Sequence, residues 1–263
     1  YLEYFANIEV ENKIYELLYS PRFDGIILMA ETISEKDIRP MILERLGQLD
    51  IPVVIAGENI EGFICVNNDI REDFRGIARH LIEIHGYTDI DMLTGQSEFA
   101  TSHERVQGVR DIFEEKGISF PDEKIIYGNY WINTGEALAE EYLKGTRKMP
   151  QAVICANDFM AYGLIDKLFE NGIKFGKDIS VVGYEYVGER YYHHPILTTY
   201  SRNRANVGAK AVSILNNLIT DEPVEDISID GCMVAGESCP CGSDKSFIMT
   251  ELQTVRRIQF YNN

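Results

Sequence analysis

The 263-residue sequence is poor in positive charge, with 25 Lys and Arg against 42 Asp and Glu and a net charge of −17. So acidic a surface repels nucleic acid, so these residues are not expected to contact it directly. No apolar run approaches the roughly 18 residues of a membrane helix, and no secretory signal opens the sequence. A protein of the cytoplasm with no membrane contact is expected. Its five cysteines, Cys65, Cys155, Cys232, Cys239 and Cys241, are odd in number. Cys65 and Cys155 lie in apolar runs, as buried thiols of a reducing compartment do. Cys239-Pro240-Cys241 offers two thiolates but not four ligands at zinc-site spacing. No metal or cofactor is assigned, and whether that pair binds metal stays open.

Catalytic signatures are also missing. Gly95-Gln96-Ser97-Glu98-Phe99 begins like a nucleophile elbow, but Phe99 stands where the closing glycine belongs. Residues 172–177 fall one short of a phosphate loop, and Asp178 replaces the hydroxyl that would hold magnesium. His103-Glu104 has no second histidine at zinc-helix spacing. His193-His194 has no carboxylate nearby in sequence and reads as a solvated or packed pair. The expected protein is not an enzyme.

What is present is alternation. Apolar runs begin at Asp24, Pro52, Phe63, Asp89, Lys124, Ala152 and Ile179, and most end in Gly, Asn, Asp or Glu. Continuous apolar strands belong to parallel sheets covered by helices. Between them, Ile70, Phe74, Ile77, Ala78, Leu81 and Ile82 share one helical face, as do Val106, Val109, Ile112 and Phe113, and Val207, Ala211, Ile214, Leu215 and Leu218. Ser34, Asp69, Thr134 and Asn157 read as helix caps, and Gly86, Gly117 and Gly172 as helix ends. About eight strands could form one sheet or two sheets of four to six; the pattern leaves both open.

Ligands of open α/β sheets bind at the carboxyl ends of the strands. Asn157, Asp158, Glu185, Arg202 and Arg105 fall there, interleaved with Tyr130, Trp131, Tyr184 and Tyr186. Amides and carboxylates hold hydroxyls, and aromatic faces stack on a sugar or a base.

The stretch AVICANDFMAYGLIDKLFENGIKFGKDISVVGYE, from Ala152, resembles the effector-binding domain of LacI/GalR-type regulators. Phe23 to Ile27, Ile51 to Val54, His103 to Gly108 and Leu197-Thr198-Thr199 add to the likeness, which covers most of residues 1 to 240. The resemblance implies an α/β, periplasmic-binding-protein-like type I fold: two Rossmann-like lobes with parallel sheets, joined by three crossovers, with the ligand in the cleft. It implies that Arg105 grips ligand hydroxyls or a carboxylate, that Asn157 of the Asn-Asp pair contacts ligand, and that Glu185 stands at a ligand-binding acid. Arg202 and Tyr130 fall near further cleft positions. Glu185-Tyr186 replaces the family's Asp-Asp, so no relative's ligand transfers directly, and residues 184–194 suggest a flatter, aromatic ligand or a packed lid.

The expected lobes are residues 1–98 with 203–220 and residues 99–202 with 221–242, followed by a helical extension at 243–263. Residues 1–5 read as the second strand of the first lobe and 12–19 as its helix, so a first strand and helix are expected upstream unless another chain fills their slot. AGESCPCG, from Ala235, resembles the closing strand of sensor heads fused to an output domain of GGDEF, histidine-kinase or AraC type. Alternatively, DNA is bound through a segment outside this chain. A small-molecule effector, sugar- or nucleoside-like, and a homodimer are the expected partners, with the helix near 69–85 or the one after Ser34 in the dimer face. A transporter's extracytoplasmic solute-binding protein and an enzyme on a Rossmann-like scaffold are the competing readings.

Overall fold

A computed structural model describes residues 17, 22–30, 33, 38–224, 227–229 and 231–241. The chain forms two compact units, Tyr1–Asn68 with Asn203–Ile229 and Asp69–Arg202 with Asp230–Asn263. It therefore passes between units three times, as expected. The positions differ from the expected ones, however: the first passage is at 68/69 rather than 98/99, and the third at 229/230 rather than 220/221.

In the first unit, β1 (Ile26–Leu28), β2 (Val53–Ala56), β3 (Ile64–Asn67) and β9 (Ile227–Ser228) pair in parallel in the order β1-β2-β3-β9. The pleat sends successive side chains to opposite faces. Val54, Ala56 and Val66 pack with Ala211 and Ile214 of α6 (Arg204–Ile219). Ile55 and Cys65 pack with Ala30 on the other side. Both faces are apolar, which is why these strands read as continuous hydrophobic runs. α1 (Ile38–Leu46) buries Ile42 and Leu46.

In the second unit, β4 (Ile90–Thr94), β5 (Ile125–Tyr127), β6 (Ala152–Cys155), β7 (Ser180–Tyr184), β8 (Thr198–Ser201) and β10 (Cys232–Val234) take the order β5-β4-β6-β7-β8-β10. Only β10 runs antiparallel, paired with β8. β4, β6 and β7 are buried along their whole length. β4 pairs with β5 and β6, which is why it belongs here and not with the first unit. All seven apolar runs of the sequence form strands. The closing strand, β10, ends at Val234, immediately before Ala235, rather than running through AGESCPCG.

Two helix pairs complete this unit. α2 (Ile70–Arg79) packs on α3 (Ala100–Glu115), and α4 (Ile132–Lys144) on α5 (Asp158–Glu170). The apolar stripes of α2 and α3 face the core as expected, with Phe74, Ile77, Val109 and Ile112 fully buried. Asp69 caps α2 by accepting from Glu72 N at 3.0 Å, and Asn157 caps α5. Thr134 does not cap α4, which begins earlier, at Ile132. Its Oγ1 instead accepts from Asn129 N at 3.2 Å, bracing the turn before the helix. Gly86, Gly117 and Gly172 take positive φ, as helix-ending glycines do. No helix of the described residues is long and apolar enough to cross a membrane. The expectations for residues 1–5, for most of 12–19, for Ser34 and for 243–263 lie outside the described residues.

The α4–α5 contact runs through two glycines. A Cβ on Gly135 would stand 2.0 Å from Met160 O, and one on Gly163 would stand 2.0 Å from Ile132 O. Gly135→Ala should therefore force the helices apart and cost about 1–3 kcal/mol. Gly163→Ala should cost a similar amount, and the double variant less than the sum, because the two contacts share one interface. Urea denaturation of the three variants measures this; full additivity would mean that the glycines do not act on a common contact.

Candidate functional site

The strand order of the second unit reverses between β4 and β6, and in such sheets the crevice beyond the carboxyl ends at that point is where ligands bind. Arg105 lies on α3, which follows β4. It is 7% exposed, and its Nη1 donates to Tyr130 Oη at 2.8 Å. Its guanidinium stands over the rings of Phe74, Tyr130 and Tyr184 at 5.9, 5.3 and 5.8 Å. Among the described residues no carboxylate pairs with it, and its buried Nε has no hydrogen-bond partner.

Tyr130 follows β5 with φ 67°, in the left-handed region that non-glycine residues rarely adopt. Its hydroxyl also meets Ser102 Oγ at 2.7 Å. Its ring lies against Gly95, where a Cβ would come within 1.8 Å of it. Asn157, after β6, uses both ends of its amide: Oδ1 accepts from Met160 N at 2.9 Å, and Nδ2 donates to Tyr130 O at 2.8 Å. The sequence reading gave Asn157 a cap or a ligand contact; its geometry is that of a cap that also holds the Tyr130 corner.

Asp158 is fully buried. Oδ1 accepts from the Thr199 hydroxyl at 2.6 Å, and Oδ2 from Val187 N at 2.8 Å. Burial pushes its pKa up to about 7, against these two hydrogen bonds. Tyr184 is fully buried as well, so its ring is an internal wall rather than an open stacking face. Its hydroxyl donates to Asp73 Oδ2 at 2.7 Å. Arg202, 4% exposed, stands 5.8 Å from the Tyr184 ring and 4.0 Å from Glu185 Oε1. Glu185 and Tyr186 have φ of 110° and 58°, the second strained corner of this edge.

Thus Arg105, Tyr130, Asn157, Tyr184, Arg202 and Glu185 form one connected group. Two expected members lie apart. Tyr186 meets Tyr191 Oη at 3.1 Å and lies under the Arg190 guanidinium, and the ring of Trp131, 56% exposed, neighbours Phe159. His193 does have a carboxylate partner, supplied by α5: Nδ1 is 3.0 Å from Asp166, and its ring stacks on Tyr162 at 4.0 Å.

Sequence reading missed Asp73. It is 3% exposed on the apolar face of α2, between Ile70 and Phe74. A lone carboxylate in an otherwise apolar stripe was the available signal, because such a group needs a partner. Burial pushes its pKa up to about 6, opposed by hydrogen bonds from Tyr184 and Tyr200 and by the Arg202 charge. The unfolded value is near 3.8. The stability that this group contributes is therefore full below that value and lost as pH rises through about 6. Between about pH 5 and about pH 7, the native chain should lose about 1 kcal/mol more than Asp73→Asn in urea denaturation. Equal losses would show that Asp73 does not titrate in this range.

Residues 78–239 match the family described as periplasmic binding protein-like domain. The chain is 33% identical over 220 residues to the HTH-type transcriptional repressor PurR of Vibrio campbellii, covering 82% of this chain and 64% of that protein. It is 29% identical over 221 residues to PurR of Aliivibrio fischeri, covering 84% and 65%. The chain thus spans under two thirds of the length of these relatives. Among solved structures, the regulatory protein of LacI family from Chloroflexus aggregans superposes with a TM-score of 0.74 at 23% identity, over 87% of this chain and 81% of that one. The transcription regulator CcpA of Lactococcus lactis superposes with a TM-score of 0.73 at 24% identity, over 89% and 84%. The chain belongs to the family of periplasmic binding protein-like domains.

Proposed function

We propose that this domain senses a small polyhydroxylated or heterocyclic molecule, sugar- or nucleoside-like, and controls a DNA-binding segment outside the chain. It does this in the cytoplasm and without catalysing a reaction. The observation that carries the reading is Arg105: a buried guanidinium, ringed by aromatic faces, with no carboxylate among the described residues to neutralise it. An unpaired buried charge is costly, and a ligand oxygen would relieve it. Glu185 and Arg202 add hydrogen-bonding groups at the same edge. Tyr130, fixed by Asn157, Ser102 and Gly95, supplies the aromatic wall. Asp158 and Tyr184, already engaged internally, hold the edge in shape. Tyr186 and Trp131 lie apart from this group and carry no role in the proposal.

Two features of the relatives favour a transcriptional output. The PurR proteins are named HTH-type repressors, and the Enterococcus faecium LacI-family structure is described as a transcriptional regulator; its bound ribose favours a sugar-like ligand. None of the relatives cited carries a GGDEF, kinase or AraC-type name, so those outputs are not part of the proposal. Coupling would run through the lobe closure that the family resemblance implies.

Titration calorimetry with ribose, glucose, adenosine and guanosine should find a binder. Arg105→Ala should weaken that binder more than tenfold, about 2 kcal/mol, by leaving a ligand group unpaired. Unchanged affinity would remove Arg105 from the site. The domain is further expected to form a homodimer with a two-fold axis. Light scattering at micromolar concentration checks this, and a monomer both with and without ligand would count against it.

A further inference from the structure

Two histidines and two cysteines converge within the second unit. The α2 helix continues into a single π-helical turn, His80–Ile84, closed by His85. On an α-helix, residues five apart point about 140° away from one another. In a π-turn, whose hydrogen bonds run i to i+5, they come onto the same side, and such turns recur at functional sites. His85 Nε2 accordingly lies 3.1 Å from His80 Nε2. Cys239 and Cys241, beyond β10, close on the same point. Cys239 Sγ is 3.3 Å and Cys241 Sγ 3.6 Å from His85 Nε2, and Cys241 Sγ is 3.3 Å from His80 Nε2.

All four donor atoms lie within 4.8 Å of one another. We propose that His80, His85, Cys239 and Cys241 form a tetrahedral zinc site that clasps the chain beyond β10 to the end of α2.

Hydrogen bonding alone accounts poorly for this cluster. The Nε2 atom of His85 has three neighbours within 3.6 Å. An imidazole nitrogen carries either one proton or one lone pair, so it serves one of them well. A cation at the centre satisfies all four donors together. The spacing suits zinc, whose ligands stand about 2.0 Å away through nitrogen and about 2.3 Å through sulfur; a tetrahedron of that size has edges of about 3.3 Å between nitrogens and about 3.5 Å between nitrogen and sulfur. The N···N and three N···S separations above sit near those edges. Two thiolates with two imidazoles select zinc over oxygen-preferring cations. Cys239 and Cys241 are 1% and 8% exposed, and the His85 ring stacks on Tyr87 at 5.4 Å, so the donors are shielded and oriented.

The chain segments joined are more than 150 residues apart in sequence. A link across so long a loop removes much freedom from the unfolded chain, and a structural zinc contributes its binding energy to folding.

The test uses the full protein purified under reducing conditions without added metal. Elemental analysis should find one zinc per chain. Chelation should lower Tm and expose two further thiols to a thiol reagent. Cobalt(II) added to the stripped protein should give thiolate charge-transfer absorption in the near ultraviolet and strong tetrahedral bands in the red. Cys239→Ser with Cys241→Ser should abolish both spectrum and zinc while circular dichroism stays native. His85→Ala provides a second variant should the first not fold, and should lose the zinc and shift the cobalt bands. Folded, reduced protein with no zinc and no cobalt spectrum overturns the proposal. So does a cobalt spectrum that either variant leaves unchanged, or thiol reactivity indifferent to chelation.

Discussion

The carboxyl edge of the second unit turns on one hydrogen bond, from the Tyr184 hydroxyl to the Asp73 carboxylate. It joins the end of β7 to the buried face of α2, where both residues are out of water. Phe74 packs on the Tyr184 ring at 4.9 Å, and the guanidinium groups of Arg105 and Arg202 face it at 5.8 Å each. A carboxylate alone here would carry its full desolvation cost. With the tyrosine donor and a nearby guanidinium, it becomes the anchor of a polar network set inside an apolar unit. The positions of both arginines depend on that wall.

Around it, the edge divides between groups that hold the shape and groups that keep donors to offer. Asp158 and Asn157 spend their side chains on Thr199, Val187, Met160 and Tyr130. The positive-φ corners at Tyr130, Glu185 and Tyr186 persist because those contacts over-determine them. Arg105 stands out within this arrangement, because among the described residues its charge meets aromatic faces and one hydroxyl but no acid.

The fold was legible because its signals are local. β6 and β7 are buried along their whole length and carry apolar runs, and α2 carries its stripe at helical period. The candidate site was legible in part. Arg105, Tyr130 and Glu185 could be named because strand ends, and a resemblance carried by a short motif, pointed to them. Tyr184 was read as a stacking surface because an aromatic after a strand gives no sign of which way it faces. Asp73 was overlooked because a single acid in an amphipathic helix usually faces solvent. Thr134 looked like a cap, but α4 begins two residues earlier and its hydroxyl braces the preceding turn.

The sequence by itself determined the alternation of strands and helices, the polar character of the strand ends and the family likeness. Each depends on periodicity or on residues close together along the chain. Only the tertiary structure decided which unit owns β4, since pairing with β5 and β6 is a contact between distant segments. It alone decided whether a polar side chain at a strand end faces outward or is consumed within, as at Asp158. The four donors at His80, His85, Cys239 and Cys241 belong to the same class. No spacing rule joins a histidine pair five residues apart to a Cys-x-Cys over 150 residues later. The meeting follows from a π-turn at the end of one helix and from where the antiparallel strand β10 leaves the chain.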